Sequence, residues 1–416
     1  VSGFYRVIAN PSAFLLDLFR HAVGAVDPRR VMHGRWPSPP RGRLIVLGAG
    51  KAAAAMAQAA ESHYGPILSG LVVTRDGYEL PTCAIEVVCA GHPSPDARSV
   101  MAAQRIQSLA RTACADDLVL CLISGGASAL MAAPAPGLDF AEKQAVTAAL
   151  LSSGAAIGEI NCVRKHLSAV KGGRLAQACG GARVVSLIIS DVVGDDPSII
   201  ASGPTVPDPT TCADALAVLR RYSIPISDFA ADALAQGRWE SPKAVSPHVE
   251  NLIVARPQDC FAAARAFAAE RGLPCVDLGE RFDGLAGEVA AAHAAKIRVI
   301  KPPCLVLSGG EAVVRVTGKG RGGPNTEFAL ALALELNGLP GVHALACDSD
   351  GTDGKGGHAG AVIHPGTLAK AAALNLDPVR AQGANDTAAF FDALGDLIVT
   401  GPTFTNVNDF RAVLIV

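Results

Sequence analysis

Short apolar runs punctuated by glycine alternate along the chain with alanine-rich stretches of helical periodicity, and this alternation predicts parallel α/β architecture. In the first half the runs RLIVLG (43–48), GLVVT (70–74), IEVVC (85–89), LVLCLI (118–123) and VVSLIIS (184–190) read as buried strands. Segments at about 51–63, 96–113, 139–153 and 163–178 are long enough to be crossover helices, which gives a Rossmann-like, doubly wound parallel sheet. A further helix is expected near 11–26. After residue 240, WESPKAVSPHVE has two Ser-Pro steps and no apolar period, so a linker is placed there. Beyond it CLVLS (304–308) runs almost directly into AVVRVT (312–317), a hairpin-like succession that predicts a smaller α/β domain with a mixed sheet. VHALAC (342–347), DLIVT (396–400) and AVLIV (412–416) complete its strands. The expected domains are 1–240 and 250–416.

Composition narrows the partners. Of 416 residues, 50% are hydrophobic and 18% charged, and mean hydropathy is +0.32, which excludes a disordered chain or a nucleic-acid tail. Lys plus Arg number 36 and Asp plus Glu 38, a net charge of −2, so any anion must be held by a local site. The 11 cysteines are scattered without a C-x-x-C pair, as expected in a reducing compartment. No apolar run is long enough to span a membrane, and the sequence VSGFYRVIANPS lacks the sections of a signal peptide; a cytoplasmic protein is expected.

Candidate chemistry gathers where strands end in glycine. The strand-to-helix segment VLGAGKAAAAM carries Gly48, Gly50 and Ala53 in a G-x-G-x-x-A pattern, with Lys51 adding a charge beside amides expected to face an anion. Asp76, some 26 residues after Gly50, keeps a nicotinamide cofactor in play. Ser124, Gly125 and Gly126 follow the fourth strand and can offer backbone donors to an oxyanion; a nucleophile elbow is disfavoured, because no glycine precedes Ser124 as G-x-S-x-G requires. In NCVRKHLSAVKGGRLAQA, Arg164, Lys171 and Arg174 fall on one helical stripe behind Asn161 as N-cap, a candidate anion site, and His166 reads as structural. SDVVGDD brings Asp191, Asp195 and Asp196 to a strand end, where carboxylates hold Mg²⁺ or accept a hydroxyl proton. The second half adds SGGE (Ser308, Gly309, Gly310, Glu311), TGKGRGGPNTE with Lys319 and Arg321, DSDGTDGKGGHAG with Asp350 and Asp353, and TGPTFTNVND. Four glycine-rich loops after strands suggest a cleft lined by backbone donors. No P-loop or EF-hand pattern occurs.

Taken together, GAGKAA (48–53), GHPSPD (91–96), ISGGASAL (123–130), VRKHLSAVKGGRLA (163–176), SDVVGDDPSIIASGPT (190–205), SGGE, GRGGPNTE (320–327), SDGTDG (349–354) and GPTFTNVND (401–409) closely resemble the class II glycerate 2-kinases. This is the MOFRL-domain family, often labelled hydroxypyruvate reductase, and the match runs nearly end to end. The resemblance implies transfer of a phosphoryl group from ATP, with Mg²⁺, to the 2-hydroxyl of D-glycerate, giving 2-phosphoglycerate and ADP in an interdomain cleft. It makes Lys51 and Arg321 catalytic candidates with Asp191, and makes Asp191 and Asp195 metal candidates. The matched segments also carry Asn325, Thr405 and Asn406 as binding candidates. Pro324 and Thr326, Phe404, and Gly356 with Gly357 depart from the family's usual pattern. Glycerate and ATP are the expected partners, with no nucleic acid and no membrane, and a homodimer among the assemblies left open. Two other readings stand beside it: an NAD(P)H-dependent hydroxypyruvate reductase, and a non-catalytic module for small anions.

Overall fold

In the computed structural model, which describes residues 8–354 and 356–416, the chain divides into two compact units. One comprises Pro28–Ala255; the other joins the chain up to Asp27 to Arg256–Val416. These are not the spans 1–240 and 250–416 expected from the linker: the first helix packs in the second unit, and a strand after the Ser-Pro segment closes the first sheet.

The Pro28–Ala255 unit is built on six parallel strands, β1 (Leu44–Ala49), β2 (Leu68–Arg75), β3 (Ile85–Ala90), β4 (Leu118–Ile123), β5 (Arg183–Ile189) and β6 (Val249–Ala255), ordered β3-β2-β1-β4-β5-β6. That is the Rossmann order, with the topological switch between β1 and β4, where ligands of such sheets bind outside the strand ends. β1 and β4 are buried at every residue, as all-apolar central strands must be. IEVVC sits in the edge strand β3 and is half-buried, a difference from its uniformly apolar look. The helices Ala53–Tyr64, Ala97–Ala110 and Phe140–Ser152 appear where expected. Asp96 and Asp139 cap the latter two through the Ser99 and Ala141 amides.

The stretch 163–178 differs: it is two helices, Ile157–His166 and Arg174–Ala178. Gly172 and Gly173 between them sit at φ of 57° and 81°, and the Ser168 hydroxyl accepts from the Val170 and Lys171 amides. Left-handed glycines and a side chain that competes for amides break the helix there. Asn161 consequently lies inside a helix whose N-cap is Ala156.

The second unit holds β7 (Cys275–Asp277), β8 (Gly284–Leu285), β9 (Cys304–Gly310), β10 (Ala312–Val313), β11 (Val342–Asp348), β12 (Gly360–Ile363), β13 (Leu397–Ile398) and β14 (Asp409–Ile415). Its main sheet is mixed, in the order β13-β12-β11-β14-β9-β7, with only the β7–β9 pair parallel. The expected β9–β10 hairpin is absent, because β10 pairs in parallel with β8. Gly310 at φ 118° turns the chain, and the Asp409 carboxylate takes the Ala312 amide. The helix Pro11–Ala25, capped by Asn10, buries Leu15, Leu18 and Phe19 in this unit; Phe14 meets Phe267 and Phe19 meets Phe410 at ring separations of 5.6 and 5.7 Å. Among the described residues no helix is long and apolar enough to cross a membrane.

Candidate functional site

At the switch point of the parallel sheet, the β1 turn and the β4 turn interlock. The Gly50 amide donates to the Val73 carbonyl, Lys51 to Gly125, Ala52 to the Ser124 hydroxyl and Ala53 to Gly50. Four successive amides expected to face an anion are thus spent inside the fold. A Cβ on Gly48 would lie 2.7 Å from the Leu122 carbonyl oxygen, and one on Gly50 would lie 2.1 Å from the Ser124 hydroxyl. These glycines are therefore set by the approach of β4, not by a pyrophosphate. Ser124 is fully buried, a hydrogen-bond support with no access for a substrate.

What the turn does present is side-chain charge. A Cβ at Gly126 would meet His92 Nε2 at 3.0 Å and Lys51 Cγ at 3.3 Å, so Lys51 lies across the glycine turn beside an imidazole. His92 follows β3 in the GHPSPD segment, whose proximity to Lys51 no sequence spacing reveals. Asp76, the residue that a dinucleotide ribose would need, is instead bound by Arg98 through two contacts of 2.6 and 2.8 Å.

The basic stripe separates into different tasks. Lys171 is buried, and its ammonium donates to the Ser128 and Met131 carbonyls at 2.9 and 3.2 Å. It thereby holds the short Ala127–Leu130 helix that follows the Ser124 turn, and burial drives its pKa well down. Arg174 donates to the carbonyls of Lys165, Lys171 and Trp239. Both spend donors on backbone carbonyls, because the broken helical phase takes them off the stripe with Arg164. Arg164 alone of the three has no hydrogen-bond or ion-pair partner among the described residues, and burial lowers its pKa. Asn161 accepts from the buried Ser202 hydroxyl.

After β5, Ser190 is tied to Ala255, and its hydroxyl accepts from the Val192 amide. Asp191 and Asp195 lie on this turn with Asp195 at φ 54°, and Asp196 caps the next turn through the Ser198 amide.

In the second unit, two of the four glycine loops spend backbone amides on neighbouring segments. Gly309 donates to the Gly279 carbonyl, Glu311 to the Asp283 carboxylate and Arg321 to Asp386. Gly318 donates to Asn385 and Gly320 to the Ala384 carbonyl. These five amides are thus engaged within the unit. Ser308 is buried against His293 at 2.7 Å, and Gly310 lies in the strand beside it. His293 Nδ1 lies 2.7 Å from the Val289 carbonyl, and burial pushes its pKa down to about 4. The neutral ring thus donates to Val289 and accepts from Ser308.

Asp353 is no open metal or base group. Its carboxylate accepts from the Asn325 and Thr326 amides at 2.9 and 2.8 Å and from the Thr326 hydroxyl at 2.9 Å. It caps the Pro324–Leu336 helix from another loop, and Gly323 must be glycine because a Cβ would sit 2.4 Å from that carboxylate. Asn325 spends its side chain on Asp409 at 2.6 Å. Thr405 donates to the Val26 carbonyl at 2.8 Å, and Asn406 is buried in the same loop. Asp350 is buried and orders its turn through the Thr352 amide. Arg321 extends outward to Asp392 at 2.6 Å, with both side chains about half exposed.

One cluster has no signature in the residue spacing: among the described residues His166, Cys212 and Glu240 bring their ligand atoms within 4.8 Å of one another. Glu240 is held by Lys243 at 2.5 Å, and burial beside Glu240 lifts the Cys212 thiol to about 11. The Glu240 carboxylate also accepts from the Cys212 amide at 3.0 Å, and His166 Nδ1 lies 2.8 Å from the Cys162 carbonyl, which ties the cluster into the surrounding chain.

Residues 14–235 match a family model described as a domain of unknown function, DUF4147, and residues 304–409 match the MOFRL family. A provisionally named hydroxypyruvate reductase of Agrobacterium vitis is 47% identical over 96% of this chain and 94% of its own length. A D-glycerate 2-kinase of Thermotoga maritima is 39% identical over 96% of this chain and 97% of its own. The crystal structure of a Thermotoga maritima glycerate kinase superposes with a TM-score of 0.86 at 38% identity, covering 97% of this chain and 99% of that one. The chain belongs to the MOFRL-domain family of class II glycerate 2-kinases.

Proposed function

We propose that this protein is a glycerate kinase that moves the γ-phosphoryl group of ATP to the 2-hydroxyl of D-glycerate, releasing 2-phosphoglycerate and ADP. The observation that carries the choice of kinase over reductase is the G-x-G-K turn. Its amides at 50–53 are consumed by the fold, which removes the backbone cradle a pyrophosphate would need at that turn, and Asp76 is engaged by Arg98 in an exposed pair. What remains is charge on side chains, which is what phosphoryl transfer needs, since that reaction rests on positioning and neutralisation of charge. The end-to-end likeness to a protein named D-glycerate 2-kinase supports the same reading.

In this reading Lys51 and Arg321 neutralise charge on the transferred group, and Arg164 anchors a carboxylate or phosphate. Asp191 and Asp195 supply hard oxygen donors, the donor chemistry that suits Mg²⁺, and would hold the ion; when bound it offsets phosphate charge. Asp191 also serves as the acceptor for the hydroxyl proton. Ser124, Lys171, Asn325, Asp353 and Thr405 act beneath these groups as supports.

The deciding experiment is ADP release by the purified protein with ATP, Mg²⁺ and D-glycerate, beside an NAD(P)H-plus-hydroxypyruvate assay on the same sample. The expected result is ADP release that requires glycerate, with phosphorus NMR placing the new ester at carbon 2. Nicotinamide oxidation without ADP release would overturn it and favour the activity named for the Agrobacterium vitis relative.

A further inference from the structure

A second cavity lies wholly within the Pro28–Ala255 unit, with a volume of about 350 Å³. Three arginines line it, Arg111, Arg174 and Arg238, together with Gln107 and Gln177. None of the three guanidinium groups is ion-paired to a carboxylate among the described residues. Arg174 turns its donors to backbone carbonyls, and Arg238 lies over the Phe229 ring at 5.2 Å. The acidic wall residue, Glu240, already has Lys243. The wall therefore carries an excess of positive charge in a chain whose net charge is −2. Like charges facing one concavity repel unless an anion joins them, and guanidinium is the side chain that fits phosphate and carboxylate oxygens in pairs. Gln107 is anchored through its amide nitrogen to the Ala169 carbonyl at 2.7 Å, which leaves its oxygen as an acceptor for a hydroxyl.

We propose that this cavity is a second ligand site, separate from Lys51 and Asp191, which takes a small phosphate ester of a polyol or hydroxy acid. The phosphate meets Arg111 and Arg238, and the hydroxyl end meets the glutamines. A volume of this size accommodates such a molecule and is near the lower end of small-ligand sites.

The cavity contains its own reporter. Trp239 lines it, and the chain has two tryptophans, Trp36 and Trp239. A Trp36→Phe protein emits from Trp239 alone and is titrated with glycerol phosphate and with inorganic phosphate. Sodium chloride at matched ionic strength and glycerol serve as controls. The expected result is a saturable change in emission with glycerol phosphate, weaker with inorganic phosphate, and a midpoint raised about tenfold or more when Arg111→Ala and Arg238→Ala are combined, as for loss of charged contacts. A change that does not saturate, that chloride reproduces, or that survives the double substitution overturns the proposal. Should Trp36→Phe not fold, calorimetric titration of the otherwise native chain with and without the two arginine substitutions decides: equal heats and affinities overturn it. The readout involves no turnover, so failure of the kinase reading and failure of this site are told apart.

Discussion

Lys51 and Arg321 differ in what restrains them. Lys51 lies across the Gly126 turn beside His92, in a place fixed by interlocked strands, whereas Arg321 must leave Asp392 to touch a substrate. An exposed pair of that kind is worth about 0.2–1 kcal/mol, so the release costs little. Lys51→Ala and Arg321→Ala are each expected to lower kcat/KM by at least about tenfold with unchanged melting, as for charges used in the transition state. Asp392→Asn should leave kcat/KM within about threefold, and steady-state kinetics on all three checks the contrast. A second residue, Lys143, is buried and donates to the Leu167 carbonyl at 2.8 Å. Burial, with Arg164 and Arg174 nearby, pushes its pKa down to about 7. The unfolded chain keeps this amine charged up to about pH 10, so between those values unfolding takes up a proton and stability rises with pH, by up to about 1.4 kcal/mol per unit. Below about pH 7 the contribution is flat. Lys143→Met removes that slope, so its stability relative to wild type should fall as urea unfolding is moved from pH 7 to 8.5; a constant difference would refute a neutral amine. Lys51 and Arg321 stood out in the sequence because glycine motifs flank them. Lys143 and His92 did not, for their roles come from what the fold buries or places beside them.

Between residues and whole molecule stand turns and caps. The glycine turns were legible as turns, and the strands before them as strands, because apolar runs ending in glycine have few other uses in an α/β chain. Their purpose was not legible. G-x-G-K and S-G-G read equally well as anion cradles or as close-packed turns, and only the hydrogen-bond partners of Gly50, Lys51 and Ala52 separate the two. The single helix expected across 163–178 is broken for a related reason: the charges keep helical spacing across Gly172-Gly173, but two left-handed glycines end the helical phase, so Lys171 does not share the stripe of Arg164. Phe404 shows the reverse case: its φ of 60° is the left-handed region where a side chain costs about 1 kcal/mol, which accounts for the smaller residue usual in the family, and nothing in the structure explains the phenylalanine here. At this scale Asp353 offers the clearest test. Asp353→Ala leaves two buried helix-terminal amides without their acceptor, while the Thr326 hydroxyl keeps the Gly323 carbonyl, and a single such orphan costs about 1–3 kcal/mol. Loss of stability in chemical denaturation is therefore expected, with Asp353→Asn intermediate because one oxygen remains. Full stability with abolished turnover would instead make Asp353 a direct participant in the reaction.

The chain leaves the second unit once, after Asp27, and returns to it at Arg256. Residues before Asp27 and after Arg256 form one body, while Pro28–Ala255 forms another with its own sheet and core, so in topological terms the parallel-sheet unit is an insertion. Sequence patterning found both sheets and their types but drew the boundary at the Ser-Pro linker, since a break in apolar periodicity marks where helices stop, not which sheet the next strand joins. β6 follows that linker and pairs with β5. The N-terminal helix offered no cue at all, because an amphipathic face does not name its partner; here the partners are Phe267, Phe410 and the Thr405 hydroxyl that reaches Val26. Insertion makes a specific demand on fragments. Residues 28–255 contain all six strands of their sheet and the cores beneath it, and should unfold cooperatively alone. Residues 256–416 lack the helix that covers Phe267 and Phe410, and should need residues 8–27, joined by a short linker, to do the same. Losing Leu15, Leu18 and Phe19 removes three fully buried side chains, at about 1.5–3 kcal/mol each, comparable with the whole stability of a small domain. Calorimetry of the three fragments checks this: a cooperative transition in 256–416 without the helix would show that the helix decorates the unit, whereas its appearance only in the joined fragment would make the first 27 residues part of that unit's core.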